Sequence, residues 1–323
     1  MEKRVRPELL LVGSGWAPDV DQLLEERFVC HRLGRVAREE RAAFLDQVGP
    51  QVRAVFTMGT VGIDAALAAR LPQLEIVAVH GVGVDAVVFD ALAPRGIVVT
   101  NTPDVLTDDV ADLAVGLLLA AARRLPQLDR HVRAGAWESK DAKAPLRPSR
   151  SLRGKVAGIV GLGRIGQAVA TRLESFGMTI RYFQRSTADS PYPRSASLPA
   201  LAQESDFLIL CAPGGAATRA LIDGAVLDAL GPEGTLVNIA RGSLVDEAAL
   251  VKALGEGRLG GAALDVFADE PRVPGALREL DNVILTPHVG SFTVETRSAM
   301  GRLAASNLIA YFEGRPLPTP VTR

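Results

Sequence analysis

Short apolar segments alternate with amphipathic segments along almost the whole chain. In the N-terminal part, apolar segments of strand length cover residues 8–13, 53–57, 75–81 and 97–101, and helical patterns separate the first three. Each of these segments ends in Gly, Thr or Asn. Such alternation is typical of parallel sheets whose strands are joined by crossover helices. The pattern therefore predicts an α/β fold.

A second series of strands follows a long helix, which is predicted to begin at Thr107 with Asp108 and Asp109 in its first turn. Acidic residues there complement the positive end of the helix dipole. A polar stretch at 138–154 lacks hydrophobic periodicity and is predicted to be a surface connection. Apolar segments then alternate with helices at 155–161, 178–183, 206–213, 235–240, 261–267 and 282–287. We expect two Rossmann-like, doubly wound parallel-sheet domains with a cleft between them.

A last helix, from about Thr293 to Phe312, is expected to pack against the first sheet. The first domain is then discontinuous: it consists of residues 1–102 and 290–323, and the second domain consists of residues 103–289. A chain of 323 residues exceeds what one hydrophobic core usually supports, so its length also favours two domains.

Composition narrows the choice of partner. The formal net charge is -1 and no long block of Lys and Arg occurs, which argues against a nucleic-acid or membrane partner. The longest apolar stretch, 113–122, is shorter than the roughly 20 residues that cross a bilayer. Cys30 and Cys211 lack the spacing of a metal site or a disulfide framework. We expect a cytoplasmic protein that binds a small molecule and contains no metal.

The clearest local motif is a glycine-rich turn between an apolar strand and an amphipathic helix. Gly161 permits a tight turn, Gly163 lets the backbone approach a pyrophosphate, and Gly166 allows the helix to pack closely on the strand. The same spacing can arise by chance in a chain with 31 glycines, but the flanking strand and helix make it specific. The motif predicts a dinucleotide site. We therefore expect residues 103–289 to form a dinucleotide-binding domain, and residues 1–102 and 290–323 to form a substrate-binding domain.

The end of the next strand indicates which dinucleotide binds. NAD sites usually place an acidic residue there for the ribose 2′-hydroxyl, whereas this chain has Gln184, followed by Arg185, Ser186 and Thr187. These side chains could hold a 2′-phosphate through charge-assisted hydrogen bonds. We expect NADP(H) as the preferred cofactor and NAD(H) as the alternative. Arg185 could instead stack on the adenine or point to solvent.

Three residues that follow strands supply the groups that hydride transfer to a 2-oxo acid requires. Arg241 can bind the carboxylate, His288 can donate a proton near neutral pH, and Glu270 can keep that donor protonated. Asp265, at another strand end, could contact the nicotinamide or support the histidine, or serve only as a cap. Each residue alone is more often structural than catalytic, so the prediction depends on their combination.

The substrate is predicted to meet the loop at 80–85, where Val82 and Gly83 expose backbone N–H groups that can bind an anion. An ordinary strand-to-helix turn would explain the same glycines. His80 precedes this loop and is a weaker candidate for substrate contact.

The motifs at 101–120, 158–170, 237–250, 261–271 and 282–291 occur in an order that resembles the D-isomer-specific 2-hydroxyacid dehydrogenases. Within that family the chain looks most like the glyoxylate/hydroxypyruvate reductases, including the hydroxyphenylpyruvate reductases. The resemblance implies that Arg241 binds the substrate, that His288 is the acid/base residue and that Glu270 is the partner of His288. It also implies cofactor contacts from Thr107, Arg164, Ile165, Arg185, Ser186, Pro213, Thr218, Ile239, Asp265 and Gly290.

The resemblance further implies a homodimer. In some reductases of the family a Trp from the neighbouring subunit reaches the substrate, and Trp137 stands where that residue would be, although interface packing would explain it equally well. Met58 is expected to line the pocket for the substrate side group. The loop at 80–85 departs from the serine-rich version of several aromatic-substrate relatives, so glyoxylate or hydroxypyruvate is expected rather than a bulky substrate.

We therefore expect NAD(P)H-dependent reduction of a small 2-oxo acid to the D-2-hydroxy acid, with His288 as the proton donor. Two alternatives use the same fold. One is a dinucleotide-sensing regulator, and the other is a dehydrogenase of the formate or phosphite type, which would need a pocket for a much smaller anion.

Overall fold

The computed structural model describes residues 6–138, 148–186 and 189–322. The chain separates into two compact units. Unit 1 consists of the residues up to Leu106 together with those from Ser291 onward, and unit 2 runs from Thr107 to Gly290. These boundaries lie close to the predicted ones, after residues 102 and 289.

The part of unit 1 that precedes Leu106 alternates strands and helices. Its strands are β1 (Glu8–Leu11), β2 (Val29–Arg32), β3 (Ala54–Met58), β4 (Ile76–His80) and β5 (Val98–Thr100), and its helices are α1 (Pro18–Arg27), α2 (Arg41–Val48), α3 (Ala65–Ala69) and α4 (Phe89–Leu92). Neighbouring strands pair in parallel in the order β2-β1-β3-β4-β5.

The strand β2 is absent from the sequence prediction. Its four residues, VCHR, are all only partly buried and contain neither an apolar run nor a clear alternation. Pairing with β1, with Glu8 opposite Val29, makes the segment an edge strand. An edge strand has a neighbour on one side only, so its sequence carries a weaker signal than a central strand does.

Unit 2 contains the second predicted series of strands. Its helices are α5 (Thr107–Arg123), α6 (Leu125–Arg133), α7 (Arg164–Ser175), α8 (Leu198–Gln203), α9 (Gly224–Leu230), α10 (Glu247–Gly255) and α11 (Gly275–Glu279). Its strands are β6 (Val156–Val160), β7 (Thr179–Phe183), β8 (Phe207–Leu210), β9 (Thr235–Asn238), β10 (Gly261–Leu264) and β11 (Val283–Leu285). Each strand lies within a segment that the hydrophobic pattern predicted.

The strands of unit 2 pair in parallel in the order β11-β10-β9-β8-β6-β7. The direction of winding reverses at β6, which has β7 on one side and β8 on the other. Open α/β sheets bind ligands outside the carboxyl ends of their strands, at such a reversal. The α/β class and the two parallel sheets are thus confirmed.

The last helix, α12 (Val294–Phe312), belongs to unit 1 and packs on α1 and β4. It begins after Thr293, whose side-chain oxygen accepts a hydrogen bond from Thr296 N at 3.2 Å and so caps the first turn. Its buried residues include Ala304, Ala305 and Leu308, which join the core formed with Leu9 and Leu11 of β1.

Candidate active site

The glycine-rich turn follows β6 and leads directly into α7. Gly161 has a left-handed backbone with φ of +91°, and a Cβ there would lie 2.8 Å from Ala212 on the neighbouring strand's continuation. A Cβ on Gly166 would collide with the Gly161 carbonyl. Both glycines are therefore required by close packing within unit 2.

Gly163 has no such internal reason to be a glycine. Its φ of -76° is ordinary, and a Cβ there would meet nothing within 4 Å. No side chain caps the N-terminus of α7, so its first-turn N–H groups point out at this position. Open space beside uncapped helix amides fits the pyrophosphate of a dinucleotide.

The end of β7 reaches this turn through Gln184. Its side-chain oxygen accepts a hydrogen bond from Leu162 N at 3.0 Å, which connects the strand end to the glycine turn. Arg185 and Ser186 follow and are exposed, while Thr187 lies outside the described residues. NAD sites usually carry an acidic residue at this position. Here it is Gln184, whose side-chain amide is hydrogen-bonded to the backbone of the glycine turn.

The other predicted cofactor residues lie mostly after strands of the same sheet. Pro213 follows β8, and its carbonyl accepts a hydrogen bond from Thr218 Oγ1 at 2.9 Å. Ile239 follows β9 and is buried, Arg164 and Ile165 open α7, and Thr107 begins α5. The structure therefore places most of them along one edge of the unit 2 sheet.

Arg241 follows β9 on a turn that is stabilised by two hydrogen bonds from the side chain of Asn238. The Asn238 amide donates to Arg241 O at 2.9 Å and its oxygen accepts from Ala240 N at 3.1 Å. Asn238 itself is buried. The turn that carries the guanidinium is fixed by a buried polar side chain.

Glu270 and His288 form a direct pair. His288 Nδ1 lies 2.7 Å from Glu270 Oε2, and about 30% of each side chain is exposed. The other oxygen of Glu270 accepts from Phe267 N at 3.0 Å, which fixes the carboxylate. A Cβ on Gly242 would collide with the Phe267 carbonyl, so a glycine after Arg241 allows that turn to approach the Glu270 segment.

The pKa of Glu270 lies below its ordinary value. Burial alone would raise it, but the hydrogen bond and charge of His288, the Phe267 N–H and the charge of Arg241 together outweigh burial. Glu270 is therefore an anion near neutral pH, as a partner for a protonated imidazole must be.

Asp265, after β10, holds the segment that presents His288. Its carbonyl accepts from His288 N at 2.8 Å, and its carboxylate accepts from Val289 N at 2.8 Å and Gly290 N at 2.9 Å. Thr286 Oγ1 donates to the same carboxylate at 2.7 Å. Burial raises the pKa of Asp265, although these hydrogen bonds oppose that shift. This geometry favours the supporting role over a simple cap.

The predicted substrate residues of unit 1 lie after β3 and β4. Asn101 Nδ2 donates to Val82 O at 2.9 Å, and Thr102 Oγ1 accepts from Gly81 N at 2.9 Å. These two side chains hold the loop at 80–85 in place. Within the described part of the chain, the N–H groups of Val82 and Gly83 have no acceptor. Met58 is the last residue of β3. Trp137 belongs to unit 2, follows α6 and is 73% exposed.

The sequence analysis did not identify three residues that support the site. They are Asn238, Thr286 and Gln184, whose side chain binds the backbone of the glycine turn. Each is polar and follows or ends an apolar strand, which is the one signal that the sequence offered.

Over the described residues, no group of three or more His, Cys, Asp or Glu could hold a metal ion. No described helix is both long and apolar enough to cross a membrane.

Comparison with known proteins shows the family to which the chain belongs. Residues 115–290 match the family model described as D-isomer specific 2-hydroxyacid dehydrogenase, NAD binding domain. A glyoxylate/hydroxypyruvate reductase A of Arabidopsis thaliana is 48% identical over 92% of this chain and 94% of its own length. A hydroxyphenylpyruvate reductase of Plectranthus scutellarioides is 49% identical over 94% of this chain and 95% of its own.

Among solved structures, an NADPH-dependent glyoxylate/hydroxypyruvate reductase of Sinorhizobium meliloti, in complex with NADP and malonate, superimposes with a TM-score of 0.88. It is 43% identical and the match covers 98% of this chain and 97% of that one. The resemblance inferred from the sequence motifs is therefore confirmed. The chain belongs to the D-isomer specific 2-hydroxyacid dehydrogenases, which are NAD(P)-dependent oxidoreductases of 2-hydroxy acids.

Proposed function

We propose that this protein uses NADPH to reduce glyoxylate, hydroxypyruvate or a similar small 2-oxo acid to the D-2-hydroxy acid. The observation that carries the proposal is the His288–Glu270 pair, at 2.7 Å, on the same sheet edge as Arg241 and the glycine-rich turn. The names of the Arabidopsis and Sinorhizobium relatives support the choice of substrates.

His288 acts as the proton donor in this proposal. With Nδ1 bound to Glu270, Nε2 is the ring nitrogen that remains to serve the substrate. The nicotinamide supplies the hydride when the cofactor is bound. As the new C–H bond forms, the electron pair of the carbonyl bond moves to oxygen, and that oxygen takes the proton from Nε2. Glu270 stabilises the imidazolium before the transfer.

Arg241 binds the substrate carboxylate and polarises the carbonyl through its planar donors. We assign the Val82 and Gly83 N–H groups as further donors to the carboxylate, because they have no acceptor among the described residues. Met58 and Trp137 are proposed to contact the substrate side group, the latter from a neighbouring subunit. Trp137 suits that role because it is exposed.

NADP(H) is the proposed preferred cofactor, and NAD(H) the alternative. Support comes from the exposed Arg185 and Ser186 after β7 and from the amide, rather than a carboxylate, of Gln184. The glycine-rich turn with Gly161, Gly163 and Gly166, with the strand-end residues beside it, would hold the rest of the dinucleotide.

Loss of NADPH absorbance on adding glyoxylate, hydroxypyruvate or hydroxyphenylpyruvate tests the proposal, with His288→Gln as the matched control. Turnover that is fastest with the two small acids supports it. Cofactor binding without turnover of any 2-oxo acid would instead indicate a dinucleotide-sensing regulator. Reduction of NADP⁺ or NAD⁺ by formate or phosphite alone would indicate the other type of dehydrogenase.

We also propose a homodimer located in the cytoplasm. Leu125 and Val132 of α6 and the nearby Trp137 are large apolar side chains that are each more than half exposed, which supports an interface between two copies. Sedimentation of the purified chain measures the assembly, and a monomer at micromolar concentration would contradict it.

A further inference from the structure

A second arginine, Arg194, lies beside the end of β7 and has no part in the function proposed above. The segment around it pairs with the strand: Tyr182 N donates to Pro193 O at 3.2 Å, and Ser195 N donates to Tyr182 O at 2.9 Å. Arg194 forms a parallel bridge with Tyr182 in this pairing. Its position along β7 is therefore set by backbone hydrogen bonds.

The side chain of Arg194 reaches the backbone that follows β7. Its Nη2 atom donates to Gln184 O at 2.8 Å and to Arg185 O at 3.3 Å. A guanidinium has five N–H donors, and the three on Nε and Nη1 have no acceptor among the described residues. The geometry thus anchors one end of the guanidinium and leaves the rest of its donors at the exposed end of the strand.

Two arginines therefore lie at this strand end, and the side chain of one contacts the backbone of the other. Arg185 and Arg194 are both exposed, and within the described residues neither forms an ion pair with a carboxylate. Asp189, the nearest acidic residue in the sequence, is paired with neither of them. Two cations at one strand end without a carboxylate partner would both attract a bound anion.

We propose that Arg194 is a specificity-determining residue for the 2′-phosphate of NADPH. It holds the Gln184–Arg185 backbone in position and offers its remaining N–H groups to phosphate oxygens beside those of Arg185. Gln184 extends this arrangement to the glycine-rich turn through its bond with Leu162 N. The inference rests on the NADP(H) preference proposed above and deepens it by a second cation.

Calorimetric titration of the purified protein with NADPH, NADH and 2′,5′-ADP tests the assignment without any turnover. Arg194→Gln is expected to weaken NADPH and 2′,5′-ADP binding about tenfold, since one charge-assisted hydrogen bond contributes about that much. NADH binding should change by less than about twofold, because NADH has no 2′-phosphate. Arg38→Gln, an exposed arginine of unit 1, is the control and should change neither.

A double variant separates a direct role from a purely structural one. If Arg194 both binds phosphate and positions Arg185, Arg194→Gln with Arg185→Ala should weaken NADPH binding by more than Arg185→Ala alone and by less than the product of the single effects. No loss beyond that of Arg185→Ala would show a purely structural role and would overturn the assignment. Arg194→Lys should fall between wild type and Arg194→Gln, because it keeps the charge and loses the two-carbonyl contact. Thermal unfolding of each variant verifies that the fold is retained.

Equal weakening of NADPH and NADH by Arg194→Gln, or no change in either, would overturn the assignment. A wild-type protein that binds NADH more tightly than NADPH and does not bind 2′,5′-ADP would overturn the cofactor preference as well. Turnover of 2-oxo acids with NADH would in that case leave the reductase function standing, so the two failures are distinguishable.

Discussion

Two histidines occupy similar places in the two units and have opposite surroundings. His80 is the last residue of β4 in unit 1, and His288 follows β11 in unit 2. His288 is partly exposed and lies 2.7 Å from a carboxylate oxygen of Glu270. His80 is 4% exposed, with the ring of Trp16 at 5.4 Å and the guanidinium of Arg297 at 3.5 Å from Nδ1.

These neighbours decide what each imidazole can do. Burial, and then the charge of Arg297, lower the pKa of His80 to about 4, so His80 is neutral in the folded protein. His288 has an anion as its neighbour instead, and its ring is hydrogen-bonded to the Glu270 carboxylate. A strand-end histidine thus becomes a packing residue beside a cation and a proton-transfer residue beside an anion.

The largest expected effect is on turnover at His288. His288→Gln should lower kcat about a thousandfold, or roughly 4 kcal/mol, because the proton donor is lost. The Kd for NADPH should stay within about twofold of wild type, since His288 is not assigned to the cofactor. His80→Phe is the matched variant, and an equal loss of kcat there would show that the comparison of the two histidines is wrong.

His80 should instead appear in the pH dependence of stability. Its folded pKa of about 4 lies below the ordinary value of 6.5, so the unfolded state binds the proton more readily. The stabilisation by neutral His80 is complete above about pH 6.5 and is lost as the pH falls toward 4, by roughly 3 kcal/mol.

Urea unfolding of wild type and His80→Phe between pH 7 and pH 4 measures this loss. The free energy of unfolding should fall more steeply in wild type than in the variant, whatever their difference at pH 7. Parallel slopes would mean that His80 is not a buried neutral group.

One arginine from each unit extends the comparison. Arg241→Lys should lower kcat/KM for the 2-oxo acid about a hundredfold, because an ammonium cannot make the planar two-point contact with a carboxylate. Arg297→Lys should change kcat/KM by less than about fivefold, since its guanidinium serves Gly15 O and His80. Steady-state kinetics with hydroxypyruvate compares them, and similar losses in both would remove the distinction.

Among the variants of the proposed catalytic residues, Glu270→Gln should have the smallest effect on rate. An amide keeps the hydrogen bond to Nδ1 but loses the charge, so kcat/KM for reduction should fall about tenfold at pH 7. Steady-state kinetics with hydroxypyruvate at pH 7 measures this loss, and a kcat/KM equal to that of wild type would exclude an electrostatic role for Glu270.

Much of this architecture could be predicted from local patterns. The strands of unit 2 are mostly apolar, and each was located correctly, including the edge strands β7 and β11. The roles of Gly161 and Gly166 could be predicted, because a tight turn and a close helix–strand contact leave no room for a side chain at these positions. The edge strand β2 was missed because its pairing, and not its own residues, makes it a strand.

The sequence by itself determined the α/β class, the glycine-rich turn and the family, because these depend on periodicity and on glycines within a short stretch. Only the tertiary structure decided which histidine has which neighbour. His80 and Arg297 are 217 positions apart, and His288 meets Glu270 only because two adjacent strands, β10 and β11, end at the same edge. An imidazole responds to charges within a few ångströms, and folding alone brings those charges together.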